Sequence, residues 1–108
     1  MNFRKVTAII QTLTLEKVIE ALKKIGVSGL TVTTVDGYGE YRNLYKKDEM
    51  CECSRVEIFT DKDKTKQIVS TIAKTAHLGL DSDGVIAVLP VEDFFHVHEF
   101  EEVEDDGK

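Results

Sequence analysis

The chain has no tryptophan, a single proline and only two cysteines among its 108 residues. The cysteines, Cys51 and Cys53, are one residue apart, and neighbours this close would form a strained disulfide. A disulfide-stapled secreted fold is therefore disfavoured, and a reducing compartment is expected. No apolar run approaches the roughly 20 residues of a membrane span, and the charged first residues do not resemble a signal peptide. The expectation is a cytoplasmic protein.

The chain carries fewer basic than acidic side chains, which disfavours a nucleic-acid partner. The formal net charge is −6, and residues 99–108 hold six acidic side chains and one lysine. The rest of the chain is close to neutral, with thirteen basic against fourteen acidic residues. No basic stripe offsets the acidic tail at 99–108, so nucleic-acid binding is not expected. Residues 1–98 are predicted to form one domain, because a chain of this length supports a single core.

The apolar pattern predicts alternating helices and strands. Segments typical of β-strands occur at 6–10, 30–35, 56–58 and 85–89. The last of these is continuously apolar, which predicts a strand buried on both faces. Apolar residues at helical spacing predict one helix between Thr14 and Gly26, and another between Asp61 and Gly79.

The order of these elements is βαββαβ, which predicts an α+β, ferredoxin-like fold. Both helices would pack on one face of an antiparallel sheet and leave the other face uncovered. An uncovered apolar face predicts oligomerisation. Residues 36–54 are predicted to form a long polar loop, and residues 95–98 a last extended segment.

Motifs of catalysis are missing from the sequence. It has no glycine-rich phosphate loop between a strand and a helix, no nucleophile elbow and no helical metal motif. The sequence therefore predicts a protein that is not an enzyme.

Two glycine-containing blocks carry the most specific signal. The first runs from Gly29 through Leu-Thr-Val-Thr-Thr-Val to the Gly-Tyr-Gly of residues 37–39, and the second contains Thr75-Ala-His-Leu-Gly79, Asp83-Gly84 and the apolar residues 88–91. In this order and near this spacing they resemble the PII signalling proteins, over most of the chain from Val6 to about His98.

The resemblance implies a homotrimer that binds an adenine nucleotide in clefts between subunits. PII proteins pass this signal to a transporter or an enzyme through a long mobile loop. The loop at 40–54 is shorter here than in the family. This chain is similar to short-loop, divergent PII-like proteins, some of which are associated with bicarbonate uptake, so a role in bicarbonate or nitrogen metabolism is expected.

Family positions map onto the following candidate nucleotide-binding residues. The adenine and ribose region would be lined by Gly29, Thr31, Val35, Gly37, Tyr38, Gly39, Ile58 and Thr60. The turn that meets phosphate would contain Gly79, Asp83 and Gly84, where glycines let backbone amides approach an anion. His96 and His98 would lie at the same cleft.

Four family cations are replaced in this chain. Glu40 stands where the family has an arginine, Val85 where it has a lysine, and His96 and His98 where it has two arginines. Lysine and arginine stabilise polyphosphate through charge-assisted hydrogen bonds. The predicted effector is therefore ADP or AMP rather than ATP.

An alternative reading is a metal or redox sensor on the same trimeric scaffold. His96 and His98 would point to one face of a strand, and Cys51 and Cys53 would supply mobile thiolates. Imidazole and thiolate together suit a soft transition metal. The two thiols alone would suit a redox switch.

Overall fold

The structure, a computed structural model, describes residues 2–39 and 49–100 and contains one four-stranded antiparallel sheet. The strands are β1 (Phe3–Gln11), β2 (Thr31–Gly37), β3 (Cys51–Asp61) and β4 (Gly84–Val91), and the helices are α1 (Leu15–Lys24) and α2 (Lys62–Thr75). Their order across the sheet is β2-β3-β1-β4. The predicted ferredoxin-like α+β fold is confirmed.

The core lies between the helices and one face of the sheet. On β1, Val6, Ala8 and Ile10 alternate with half-buried neighbours and are almost completely buried. Their register partners on β3 include Ile58 opposite Val6 and Val56 opposite Ala8, so both central strands present apolar rows to the helices. The helices complete the core from the same side with Val18, Leu22, Ile68 and Ile72, and Ala76 follows directly after α2.

The helix ends follow the sequence at α1 and depart from it at α2. Gly26, with a φ of 91°, donates its N–H to the Lys23 carbonyl at 3.0 Å and closes α1 as predicted. The predicted end of α2 at Gly79 is wrong, because the helix stops at Thr75. The backbone amides just beyond it are held instead by the side chain of Asp83.

Other differences concern the segments near the sheet edges. The predicted loop 36–54 is too long, because β2 continues to Gly37 and β3 already begins at Cys51. Gly37 and Cys51 are register partners, so the paired part of the β2–β3 hairpin is longer than the polar composition of residues 36–54 indicated. Residues 95–98 do not continue as an extended segment, since Val97–Glu99 form a 3₁₀ turn. Of the predicted acidic tail, only residues 99 and 100 are described.

The prediction that β4 is buried on both faces is wrong for a single copy of the chain. β4 is an edge strand, and Ala87, Val88 and Leu89 along it are exposed. On the opposite edge, β2 is exposed at residues 31–34. In the described part of the chain, no helix or further strand covers the second face or the two edges of the sheet.

Gly84 is the position where the backbone tolerates no side chain. Its φ is +127°, and a Cβ there would lie 2.0 Å from the Ile9 carbonyl oxygen on the neighbouring strand. We expect Gly84→Ala to lower the free energy of unfolding by about 3 kcal/mol or more, because it combines backbone strain with a clash.

The matched control for this change is Gly29→Ala. Nothing lies within 4 Å of a Cβ at Gly29, so its cost should stay within about 1 kcal/mol. Denaturant titration at one fixed protein concentration measures both. Equal stability of the Gly84→Ala variant and the parent would contradict this account of the β1–β4 contact.

Candidate functional site

A cavity lies at the end of the sheet where β1 begins. Its volume is about 220 Å³, and its walls include four of the predicted binding residues, Gly29, Ile58, Thr60 and His96. Loop 25–29 after α1 forms one wall, and the last residues of β3 form another. Because β2 begins only opposite Glu57, the end of β3 has a free edge here.

Aromatic side chains build one side of this cavity. The Phe94 ring lies 4.7 Å from Phe3 and 5.4 Å from Phe59, measured between centroids. His96 meets Phe94 edge to face at 5.1 Å, and the His98 ring lies 6.0 Å from His96. Offset and edge-to-face contacts of this kind fix ring orientations. The contact with Phe94 places His96 beside the cavity, where the residue stays exposed.

A second group of predicted residues lies in the loop before β4. The Asp83 carboxylate accepts N–H hydrogen bonds from Leu78 at 3.0 Å, Gly79 at 3.1 Å and Leu80 at 3.3 Å. His77 Nδ1 lies 3.3 Å from the same carboxylate. Burial raises the pKa of Asp83, but the three N–H groups and His77 outweigh it and hold the pKa below its ordinary value.

This arrangement changes the role predicted for Gly79 and Gly84. The Gly79 amide is engaged by Asp83, so it is not free to approach a phosphate in this conformation. Gly84 is required by its contact with Ile9 on β1. The loop is also tied to the sheet by Gln11, whose Nε2 donates to the Ser82 carbonyl at 2.6 Å. The turn is closed by the carboxylate of Asp83.

A third group follows β2. Thr31 and Val35 lie on this edge strand, opposite Glu57 and Cys53, and Gly37 ends it opposite Cys51. Beyond the strand, the Tyr38 side chain is 69% exposed, and Gly39 has a φ of 81°. The replaced cation position Glu40 lies outside the described residues.

Within one copy of the chain the three groups do not meet. The cavity lies near Phe3, whereas Gly84 pairs with Ile10. Seven residues of β1 separate those points, roughly 23 Å at the rise of a strand. Gly37 and Gly84 are toward the same end of the sheet but on its opposite edges, three strand spacings and three residues of strand apart, which is roughly 17 Å.

The metal prediction fails within one copy of the chain. Cys51 and Cys53 begin β3, whereas His96 packs on Phe94 near its far end. Among the described residues, no three His, Cys, Asp or Glu side chains are grouped to hold a metal ion. The four predicted ligands therefore do not form one site.

The prediction of mobile thiolates is also wrong. Both cysteines are buried and are not joined by a disulfide, with their sulfur atoms 3.6 Å apart. Burial, with further contributions from Cys51 and the nearby acidic side chains, raises the pKa of Cys53 to about 12. Cys53 is therefore a neutral thiol at physiological pH, which disfavours a reactive nucleophile.

Several residues at these sites were not singled out from the sequence. Lys64 and Gln67 line the cavity from α2, and Phe94 supplies its aromatic wall. Gln11 anchors the Asp83 loop. Lys64 keeps a cation near the cavity despite the replaced arginines. The only sequence signal for Phe94 was a cluster of aromatic residues after Pro90, which carries no periodicity.

The sheet, the two helices and the edge-placed groups match a known class of fold. A crystal structure of Arabidopsis thaliana PII bound to citrate aligns with a TM-score of 0.78 and 35% identity, covering 92% of this chain and 83% of that chain. The class is that of small regulatory proteins built on a ferredoxin-like domain. Neither helix in the described ranges is long and apolar enough to cross a membrane.

Comparisons of the sequence define the family. The model of the nitrogen regulatory protein P-II family matches residues 3–101. Nitrogen regulatory protein P-II of Azospirillum brasilense is 31% identical over 101 residues, 87% of this chain and 90% of that protein. Nitrogen regulatory protein P-II 1 of Escherichia coli K12 is 33% identical over 106 residues, 92% of this chain and 95% of that protein.

The chain therefore belongs to the P-II family, whose members are regulatory signalling proteins and not enzymes. The Arabidopsis thaliana P-II homolog is 34% identical over 104 residues, which are 89% of this chain. The match spans 53% of that relative's length.

The Asp83 loop makes a pH-dependent prediction. Because its pKa is lowered in the fold, Asp83 stabilises the protein fully above the ordinary aspartate pKa of about 3.9, and this stabilisation is lost as the pH falls through the folded-state pKa. Asp83→Asn should cost about 1–3 kcal/mol at pH 7, since charged hydrogen-bond acceptors are lost.

Thermal melting of parent and variant from pH 7 to pH 2.5 measures this difference, which should shrink toward acid. Asp93→Asn is the matched control, because Asp93 is exposed and lies outside the loop. A melting difference for Asp83→Asn that stays constant with pH would show that the carboxylate charge does not close the loop.

Proposed function

We propose that this chain is a homotrimeric cytoplasmic sensor that binds an adenine nucleotide in clefts between copies. ADP or AMP would bind at least as well as ATP. The bound state would be passed to a transporter or an enzyme through the segment that joins β2 and β3. Family membership supports a signalling regulator, and the effector and target are the proposed parts.

The observation that carries this proposal is the position of the predicted residues on two opposite sheet edges. One set lies on or beside β2 and the free end of β3, and the other lies in the loop that begins β4. Neither set surrounds a ligand alone. In a cyclic oligomer, the β2 side of one copy can face the β4 side of the next, and each cleft then receives both sets.

The size and lining of the cavity suit part of a nucleotide. Its volume of about 220 Å³ is below the roughly 300–1,000 Å³ of sites that enclose a whole small ligand. Phe94 and His96 offer ring surfaces to a base, and Thr60 and Gln67 offer hydrogen-bonding groups. Phosphates would extend out of this cavity toward the neighbouring copy.

The charges near the clefts disfavour a triphosphate. Three described positions where PII relatives carry cations hold Val85, His96 and His98. In the β4 loop, the Asp83 carboxylate already occupies the backbone amides of residues 78–80. Lys64 at the cavity is one remaining cation. Fewer charge-assisted contacts should leave a third phosphate without a strong partner.

A small polycarboxylate is the natural comparison ligand. The Arabidopsis PII structure was obtained with citrate, which shows that a PII fold accepts such an anion. Including citrate in the titrations separates recognition of a nucleotide from recognition of negative charge alone.

The first functional prediction concerns ligand rank. At pH 7.5, calorimetry should give ATP an affinity no higher than that of ADP or AMP. A variant combining Val85→Lys, His96→Arg and His98→Arg should bind ATP at least about tenfold more tightly than the parent, about 1.4 kcal/mol. Glu20→Arg on the exposed surface of α1 is a control for added guanidinium charge away from the cavity.

Two outcomes would contradict this ranking. One is tight binding of ATP by the parent, well above its affinity for ADP. The other is that the parent binds citrate as tightly as every nucleotide, which would show that the adenine base is not recognised.

A second prediction tests whether one cleft uses two copies. His96→Glu should weaken nucleotide binding from the β2 side, and Val85→Glu should weaken it from the β4 side, each by at least about tenfold through charge repulsion. After the two variants are unfolded together and refolded, random mixing should restore roughly a quarter of the clefts.

Calorimetric stoichiometry of the refolded mixture measures this recovery, and each variant refolded alone is the control. If one copy supplied the whole site, no chain in the mixture would be intact and no tight binding would return. That result would refute a cleft shared between copies.

A further inference from the structure

Three charged side chains form a cluster at the centre of the uncovered sheet face. They are Lys5 on β1 and Arg55 and Glu57 on β3, which alternate with the core residues Val6 and Val56. Lys5 Nζ contacts Glu57 Oε2 at 2.7 Å. Burial disfavours the charge of Glu57, but the hydrogen bond from Lys5 is the larger effect and lowers the pKa of Glu57. The cluster is therefore charged at neutral pH.

The cluster is not balanced within one copy. It contains two cations and one carboxylate, and Arg55 Nε lies 3.8 Å from Glu57 Oε1, too far for a hydrogen bond. Arg55 Nε is also buried, and in the described part of the chain it has no hydrogen-bond acceptor. A buried donor left unpaired costs about 1–3 kcal/mol. An acceptor from outside the copy would remove that cost.

The surroundings of the cluster are those of an interface. Phe59 is 52% exposed and Leu89 is 43% exposed on the same face, on either side of Lys5 in the register. Exposed apolar side chains next to half-buried charges favour burial against a protein surface. The face also carries both signs of charge, so a second copy of the same face offers a carboxylate to each unpaired guanidinium.

We propose that Arg55 donates its unpaired Nε–H to Glu57 of a second copy, and that this contact fixes how the uncovered sheet faces meet in the assembly. The proposal rests on the proposed homotrimer and adds the residues that select its geometry. Glu57 then accepts Lys5 of its own copy through one oxygen and Arg55 of the second copy through the other. Around a closed ring, every copy gives one such contact and receives one.

This pairing makes an asymmetric prediction about substitutions. In a Lys5→Met background, which removes the partner of Glu57 within the copy, removing Arg55 or Glu57 leaves the other charge without compensation, whereas replacing both by apolar side chains leaves no charge to desolvate. Arg55→Met or Glu57→Met alone should therefore weaken assembly strongly in that background. The double variant Arg55→Met with Glu57→Met should recover a large part of the loss.

The experiment is a dilution series of the full chain, followed by light scattering and sedimentation. In the Lys5→Met background, each single variant should raise the protein concentration at half-assembly at least about tenfold, and the double variant should return to within about threefold of the Lys5→Met protein. Glu20→Met on α1 is the matched control, because Glu20 is in an exposed ion pair with Lys23 at 3.9 Å. It should leave the midpoint unchanged.

A second measurement separates pairing between copies from pairing within a copy. Thermal unfolding at concentrations where each variant is dissociated reports the coupling between Arg55 and Glu57 inside one chain. If Arg55 and Glu57 are coupled in the dissociated chain and the assembly midpoints do not change, the proposed contact is refuted while the trimer stands. A parent that stays monomeric at all concentrations would refute both the contact and the proposed trimer.

Discussion

The central strand β1 is hydrogen-bonded on both sides and covered by helices on only one face. Both helices pack on the face that carries the buried residues Val6, Ala8 and Ile10, because the opposite face of β1 carries the polar residues Lys5 and Thr7. A four-stranded sheet built in this way has two edges and one face without a partner. These open surfaces carry the residues through which the chain would bind a ligand and another copy.

The hydrogen bonds that close the β4 loop are the second constraint. The Asp83 carboxylate accepts hydrogen bonds from three backbone amides, and the Gln11 side chain at the end of β1 donates a hydrogen bond to the same loop. A loop closed by its own carboxylate presents less positive potential to an anion than one with free amides. Under the proposed function, the replaced family cations act in the same direction as the loop geometry, and both would favour an effector with fewer phosphates than ATP.

The sequence predicted the fold because its apolar residues follow two clear periods. Alternation on β1 and helical spacing in α1 and α2 identify the elements that build the core. Local patterns were less informative at the edges, where β4 was expected to be buried and is exposed. The reason is that burial of an apolar edge strand depends on a partner, which no local pattern contains.

The candidate site was predictable only in part for a related reason. Family resemblance predicted roles for Thr60, His96 and Asp83, but the side chains that contact these segments come from distant parts of the chain. Phe94 reaches Phe3 and Phe59 across the sheet end, and Gln11 reaches the β4 loop, which are contacts without a sequence period. Cys51 and His96 do not group, because Cys51 begins β3, whereas His96 packs on Phe94 near the other end of that strand.

A crystal structure of the chain with ADP tests the central claim most directly. The account predicts three copies around an axis, with the base against Phe94 and His96 of one copy and the phosphates beside the β4 loop of the next. The account would be contradicted by a nucleotide held entirely by residues of one copy. It would also be contradicted by an assembly in which the sheet faces that carry Arg55 and Glu57 do not meet.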